Sequence, residues 1–322
     1  MRTAVPENST VFPVKTTAEN SILKTLAYFD IFHYPLTKYE LQQYLDHSLP
    51  AITLEETLQQ MTAQGTIFLY QEYYSLQNNP LLVHRRREGN QRAEALMPKA
   101  FGIGRFLYRF PFVRGIAISG SLSKNYADEK ADFDYFIITK ANRLWVARTF
   151  MHLFKKLTFL TGQQHFYCMN YYIDEKALPL HDKNIFTAIE TKTLVPVAGN
   201  SIQDFFSANQ WTHVYFPVCP TPQQGVPGTR GSLLKKCIES LLNNQVGSWL
   251  DQLFFRITTK RWQKKESRSQ RNAKGFVMNL VTDKHFARSN PGGFQEKVLA
   301  LYEEKLHKLQ LGKGQLVNWE ID

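Results

Sequence analysis

Apolar positions over residues 20–76 recur first at helical and then at strand spacing. Ile22, Leu23, Leu26, Phe29 and Ile31 predict a helix over residues 20–32, closed by Pro35. Thr37-Lys38-Tyr39-Glu40 is a capping box, in which the threonine oxygen and the glutamate carboxylate each accept from a free amide at a helix start. A second helix is therefore expected to about Leu45. Thr53-Leu54-Glu55-Glu56 has the same form and opens a third helix, which stops at Gly65, a natural left-handed terminator. Residues 66–70 and 73–76 then read as two short strands around Gln71-Glu72.

Beyond residue 80 the pattern changes. His84-Arg85-Arg86-Arg87-Glu88 starts a polar, basic stretch, expected as a helical linker over residues 81–109. Its arginines either reach toward phosphate or form a solvated face, and the second is the commoner meaning of such a run. Apolar strand runs follow at 115–119 and 135–139, then a helix over 142–160 with Leu144, Val146, Ala147, Phe150 and Phe154 as its stripe. A strand is expected over 165–173, a helix over 185–194 stopped near Pro196, a short helix capped by Ser201-Ile202-Gln203-Asp204, and a segment over 211–216. Residues 217–231 hold four prolines and three glycines and read as a loop or lid. Residues 233–255 look like one long amphipathic helix, and Gly292-Gly293 precedes a last helix over 294–309. The fold class expected is α+β: a mixed sheet flanked by helices over 110–216, preceded by a small module over 1–80 and the 81–109 linker, and followed by a helical, basic region over 217–322.

A chain of 322 residues can bury a sizeable core and hold two or three domains. No run approaches the ~18 apolar residues of a membrane span, so no membrane partner is expected. Residues 1–14 lack the basic and apolar regions of a secretion signal. Cys168, Cys219 and Cys237 have no Cys-x-x-Cys spacing and read as reduced thiols, which together points to a cytoplasmic protein. The net charge of +11 is uneven, because residues 1–80 carry −4 and the remainder +15. The positive field therefore surrounds the later half. Residues 256–274 alone contain eight basic side chains against Glu266, with Trp262 between Arg261 and Lys264. Such a run suits a polyanion such as tRNA or an acceptor's phosphate, although a solvated helix or mobile loop is its commoner meaning.

The densest chemistry lies in residues 119–139. A strand runs into Gly120-Ser121, and eleven residues later Asp132 and Asp134 flank Phe133 and open the next apolar run. Residues two apart on a strand share a face, so both carboxylates are expected on one side of the sheet. Hard oxygen donors at that spacing suit Mg²⁺ or Mn²⁺ shared with substrate phosphates. Gly120 lets backbone approach a phosphate closely, and Ser121 offers a hydroxyl and an amide. A lone Asp-x-Asp is common, and occurs also in sugar-nucleotide glycosyltransferases; a lone Gly-Ser is noise. The ordered combination between two apolar strands is far rarer.

That combination resembles the DNA polymerase β-type nucleotidyltransferase superfamily over residues 110–175, about a fifth of the chain. The resemblance implies that Gly120 and Ser121 hold the terminal phosphates of a nucleoside triphosphate and that Asp132 and Asp134 bind metal. Lys124, three residues after the serine, matches a basic position found in many members. A third acidic residue is usual on a neighbouring strand, and here the sequence departs. The mid-strand polar residue is Asn170, which is neutral; Asp174 has the same parity but lies about 13 Å further along. Either Asn170 supplies an amide ligand, or Asp174 acts from a bent strand end, or the role is empty. The function expected is Mg²⁺-dependent transfer of a nucleoside monophosphate to an acceptor hydroxyl, the acceptor being a small molecule, protein or RNA. The alternatives are a degenerate nucleotide-binding regulator and a nucleic-acid-associated regulator. Residues 1–80 resemble a winged helix-turn-helix domain, but Glu55, Glu56, Gln59 and Gln60 on its third helix oppose phosphate contact, so protein docking, oligomerisation or a wall beside the active site is favoured over DNA binding.

Overall fold

The computed structural model describes residues 16–129, 131–162, 164–222, 232–271 and 275–311. It is an α+β protein with two sheets, both flanked by helices. The first sheet is small. Helix α1 (Thr17–Asp30) leads to β1 (Leu36–Thr37), then α2 (Lys38–Gln43), α3 (Ala51–Ala63), β2 (Phe68–Tyr70) and β3 (Tyr73–Ser75). The strands pair antiparallel in the order β1-β3-β2. The Thr37–Glu40 capping box forms as expected, and a second one, Thr16–Glu19, opens α1. The Thr53–Glu56 box does not form, because α3 already begins at Ala51 behind Pro50 and has no side-chain cap. Proline supplies a pre-set φ and needs no donor at a helix start, so the helix begins three residues earlier than the Thr53 cap implies. Gly65 ends this unit at φ +69°.

Helix α4 (Leu81–Leu107) follows and runs through Pro98. The expected linker is thus one continuous helix, and its Ala93, Ala100 and Leu107 are buried in the core of the second sheet. Tyr135 donates its hydroxyl to the Ala100 carbonyl at 2.9 Å.

The second sheet contains β4 (Val113–Ser119), β5 (Asp134–Thr139), β6 (Cys168–Asp174) and β7 (Val195–Ala198). Between these strands lie α5 (Leu144–Thr158) and α6 (Ile185–Lys192); α7 (Ser201–Ala208) and α8 (Thr212–Tyr215) follow β7. The chain then forms α9 (Leu233–Leu242), α10 (Gln245–Ser267), the hairpin β8 (Leu280–Thr282) and β9 (Phe286–Ser289), and α11 (Phe294–Lys308). Strand order is β7-β4-β5-β6-β9-β8, with β5 and β6 parallel and joined by α5, and the other pairs antiparallel. Ile116, Ile118, Tyr135, Ile137, Met169 and Tyr172 pack toward α4 and α5. Ala117, Phe136, Ile138 and Ile173 pack on the opposite face, against Leu194, Ile202 and Phe205.

Four expectations change here. The 217–322 region is not all helical, since β8 and β9 add a hairpin to the sheet edge. Strands of three and four residues with mixed polarity give little periodic signal. The helix expected over 233–255 is broken at Asn243-Asn244, where the Asn244 side chain accepts from Gly247 N at 3.2 Å and starts α10 anew. The strand expected from residue 165 begins at Cys168, after a 3₁₀ turn. Pro196 lies within β7 rather than merely ending a helix, as a proline can on an edge strand. The loop expected over 217–231 falls mostly outside the described residues.

One core joins the first 80 residues to later ones. Leu23, Leu26 and Tyr28 of α1 share a buried cluster with Ile189 of α6, Phe216, and Val298 and Leu306 of α11. The arginine run stitches the same seam. Arg86, only 4% exposed, pairs with Glu40 at 2.6 Å, donates to the Pro35 carbonyl and lies 3.7 Å from the Tyr34 ring centre. Arg85 donates to the Phe32 carbonyl at 3.0 Å, and Arg87 to Gln71 at 3.1 Å.

Candidate functional site

The hydrogen-bond register of β4 with β5 ends at the pair Ser119–Asp134. The next residue, Gly120, turns the chain at φ +69° into a short 3₁₀ helix, residues 122–124. Two reasons require glycine there. The left-handed conformation is costly for any residue with a Cβ. A Cβ would also overlap Asp134 Oδ2 and lie 3.1 Å from its Cγ. The two halves of the sequence motif therefore touch: the carboxylate rests in the space that the glycine leaves open. The turn is tied back by Ser123 Oγ, which donates to the Gly120 carbonyl at 2.8 Å, and by the Tyr126 amide, which donates to the Ser121 carbonyl at 3.1 Å.

Phe133, between Asp132 and Asp134, is fully buried. Only Asp134 belongs to a strand; Asp132 precedes it in extended chain held by Phe133, whose amide donates to the His165 carbonyl at 3.1 Å. Both carboxylates act on the Cys168 thiol. Burial, then the charges of Asp134 and Asp132, push that thiol up to about 12.

Strand β6 supplies the neighbouring residue through a bulge. Register runs Asp134–Cys168, Tyr135–Met169, then Phe136–Tyr171, so Asn170 is an extra residue. Its Nδ2 donates to Asp134 Oδ1 at 2.5 Å, and its Oδ1 accepts from Cys168 Sγ at 3.1 Å. The bulge also shifts parity, because one inserted residue sends every later side chain to the other face. Asp174 therefore does not share a face with Asn170. It is fully buried and accepts from the Asn142 and Lys176 amides and from His285 Nδ1, at 2.8, 2.9 and 2.8 Å. That carboxylate fixes loops at the far end of the sheet.

A cleft of about 700 Å³ opens over these residues. Of the residues singled out from the sequence, Gly120, Ser121, Lys124, Asp134 and Asn170 line it, and Asp132 is not among its lining residues. Lys124 Nζ is shared between the Gly120 carbonyl at 3.1 Å and Glu190 Oε1 of α6 at 2.8 Å. Sequence reasoning missed Glu190 and Arg288 on the cleft wall, while Arg85, from the run whose arginines were weighed as phosphate-reaching or solvated, also lines it. Glu190 and Arg288 arrive from α6 and β9, and no local pattern announces them. Phe32, His33 and Tyr34, just after α1, complete the wall, so the first module is part of this site.

The donor set fits a hard cation. Asp134 rests against a cradle that a Cβ would fill, Asp132 stands two residues before it, and Mg²⁺ commonly takes one or two carboxylates with phosphates completing its shell. Among the described residues no group of three His, Cys, Asp or Glu side chains assembles a protein-only metal site. Asn170 as found presents its N–H₂ to Asp134, so it would serve a metal only after the amide turned over.

Elsewhere, Lys260, Arg261 and Lys264 are exposed along the end of α10, and residues 272–274 of that basic run lie outside the described residues. On α3, Glu56, Gln59 and Gln60 are exposed and Glu55 pairs with Lys38. Among the described residues no helix is long and apolar enough to cross a membrane. No protein-family model, curated protein or solved structure matches this chain.

Proposed function

We propose that this protein is a nucleotidyltransferase of the polymerase β type. It would bind a nucleoside triphosphate with Mg²⁺ and transfer the nucleoside monophosphate to an acceptor hydroxyl. The small module over residues 1–80, with its helix-strand-helix-helix-hairpin order, is read as a winged-helix unit used for docking and as one wall of the cleft. One observation carries the reading. The turn Gly120-Ser121 and the Asp134 carboxylate are in contact at the mouth of a cleft large enough for a nucleotide.

In this reading Asp132 and Asp134 hold the metal, which when bound supplies positive charge against the phosphates. Gly120 and Ser121 present backbone and hydroxyl groups to the terminal phosphates, and Lys124 adds a cation once it exchanges Glu190 for phosphate. Asn170 orients Asp134 through its 2.5 Å hydrogen bond. On β6, Asn170 takes the place beside Asp134 where a third carboxylate would stand.

A second reading is nucleotide binding without transfer. It is favoured by the same amide, which is neutral and directs a donor rather than an acceptor at Asp134. Calorimetry with each of the four ribonucleoside triphosphates and Mg²⁺ tests the binding shared by both readings, on the wild type and on Asp132→Asn/Asp134→Asn. Metal-dependent binding of one nucleotide, lost in the double variant, is expected; no binding by any triphosphate would refute both. Pyrophosphate release in the presence of acceptor then separates transfer from binding alone.

A further inference from the structure

One row of side chains crosses the second sheet on its cleft face. Ala117 lies opposite Phe136, Phe136 opposite Tyr171, and Tyr171 opposite Arg288. Directly paired residues project from the same face. Asp134 precedes Phe136 by two residues on β5 and shares that face. Arg288 thus lies two strands across and one pleat along from Asp134, roughly 12 Å between Cα atoms at ordinary strand spacing and rise. Gly120, Ser121 and Lys124 stand on the other side of Asp134, beyond the end of β4.

Arg288 is held at Nη1, its side chain also interacts with the Tyr171 side chain, and its Nε is enclosed. Its Nη1 donates to Asp182 Oδ2 at 2.6 Å and to Gln295 Oε1 at 3.2 Å. Its Nε is buried and has no hydrogen-bond partner among the described residues. A buried N–H without an acceptor is unfavourable, and natural sites tend to complete it with a ligand, water or ion. Guanidinium edges pair best with planar or tetrahedral oxyanions, which accept two parallel hydrogen bonds. The surrounding wall is apolar, with Phe136 against Tyr171 at 5.3 Å between ring centres and Phe186 against Phe294 at 6.0 Å.

Resting on the nucleotidyl-transfer reading above, we propose that the Arg288 side of the cleft is the acceptor subsite and that the acceptor is a small hydroxylated molecule bearing a phosphate or carboxylate. Arg288 holds the oxyanion, Phe136 and Tyr171 support the apolar body, and the hydroxyl reaches the Asp134 end. There the acceptor oxygen bonds to the α-phosphorus of the nucleoside triphosphate. The bond from that phosphorus to the bridging oxygen breaks, pyrophosphate leaves with the electron pair, and the hydroxyl proton passes to solvent. Donor and acceptor then occupy opposite sides of Asp134. The acceptor side comes from β6, β9 and the start of α11, which gives the C-terminal hairpin a role in specificity.

The test uses the full chain and two probes, methyl phosphate and acetate, titrated calorimetrically with and without Mg²⁺. One probe should bind saturably to the wild type and at least tenfold more weakly to Arg288→Lys, which keeps the charge but loses the Nε edge. Methyl phosphate alone would identify a phosphate-bearing acceptor, acetate alone a carboxylate. Mg²⁺-nucleotide binding by Arg288→Lys should stay within twofold of wild type, whereas Asp134→Asn should lose nucleotide and keep the probe. Should the lysine variant unfold, amide chemical shifts of the wild type decide, with probe-induced changes expected at Arg288 and Gln295 and not at Gly120 and Ser121. No saturable binding of either probe overturns the proposal, as does binding that Arg288→Lys leaves unchanged or shifts confined to Gly120 and Ser121. Wild-type protein that takes the probe at Arg288 but no nucleotide would retain the oxyanion site and sink the transfer reading instead.

Discussion

Replacing Gly120 by alanine isolates the contact on which the proposed site depends. Two costs enter. An alanine held at φ +69° is disfavoured by about 1 kcal/mol or somewhat more. The added methyl also overlaps Asp134 Oδ2, and Cγ and Cβ of Asp134 lie only 3.1 and 3.2 Å from it. Asp134 must leave its rotamer and strain its hydrogen bond from Asn170, a further ~1–2 kcal/mol. The sum is about 2–3 kcal/mol, or a fall in Tm of about 3–4.5 °C for a chain of 322 residues. Gly65 is the matched control, because it has the same φ of +69° and nothing within 4 Å of a built Cβ. Gly65→Ala should therefore cost only the backbone part, about 1 kcal/mol. Thermal and urea denaturation of Gly120→Ala, Gly65→Ala, Asp134→Ala and the Gly120→Ala/Asp134→Ala pair give the full cycle. Removing the carboxylate should recover the excess cost of Gly120→Ala, leaving a coupling of about 1–2 kcal/mol. Equal costs at the two glycines, or no coupling with Asp134, would refute the contact and the site built on it.

Three further outcomes are expected. Glu190→Gln should free Lys124 and tighten Mg²⁺-nucleotide binding about three- to tenfold by calorimetry, whereas Lys124→Ala should weaken it by about tenfold, consistent with ~1.4 kcal/mol per decade. Asn170→Asp sets a second carboxylate within hydrogen-bond distance of Asp134, so its Tm should fall in EDTA and recover with Mg²⁺, and a Tm indifferent to Mg²⁺ would contradict the metal assignment. Thiol labelling should find exposed Cys237 reactive and half-buried Cys168 slow. Burial first and then Asp134 and Asp132 raise the Cys168 thiol to about 12, so the neutral form persists below that pH and labelling should accelerate only as pH climbs toward it. Asp134→Asn removes one raising charge and should move that acceleration to lower pH.

Much of the site was legible because its parts are local. The Gly-Ser turn and the Asp-x-Asp pair each lie within a few residues, so both could be read without any long-range contact. The Thr37–Glu40 cap and the Gly65 stop were legible for the same reason. Errors arose where a single inserted residue or a single break changes everything after it. Parity carried across Asn170 put Asp174 on the same face about 13 Å further along, but the bulge at Asn170 turned Asp174 to the other face. Helical periodicity ran unbroken from Leu233 to Phe255, and Asn244 interrupted it by capping a new helix through its side chain. The β8–β9 hairpin was too short and too mixed in polarity to stand out.

The sequence by itself determined the chemistry that covalent proximity can hold: a glycine that can turn at positive φ, a carboxylate pair at strand spacing, capped helices and an uneven charge. Tertiary structure alone decided what surrounds that chemistry. Glu190 reaches Lys124 across 66 residues and Arg288 joins the cleft row through β6, because sheet order and register place them there. Helix α1 walls the cleft because its apolar face is buried with α6 and α11 as well as within its own module. Apolar burial is non-directional and pairs any complementary faces, so the partners it selects appear only once the whole chain has packed.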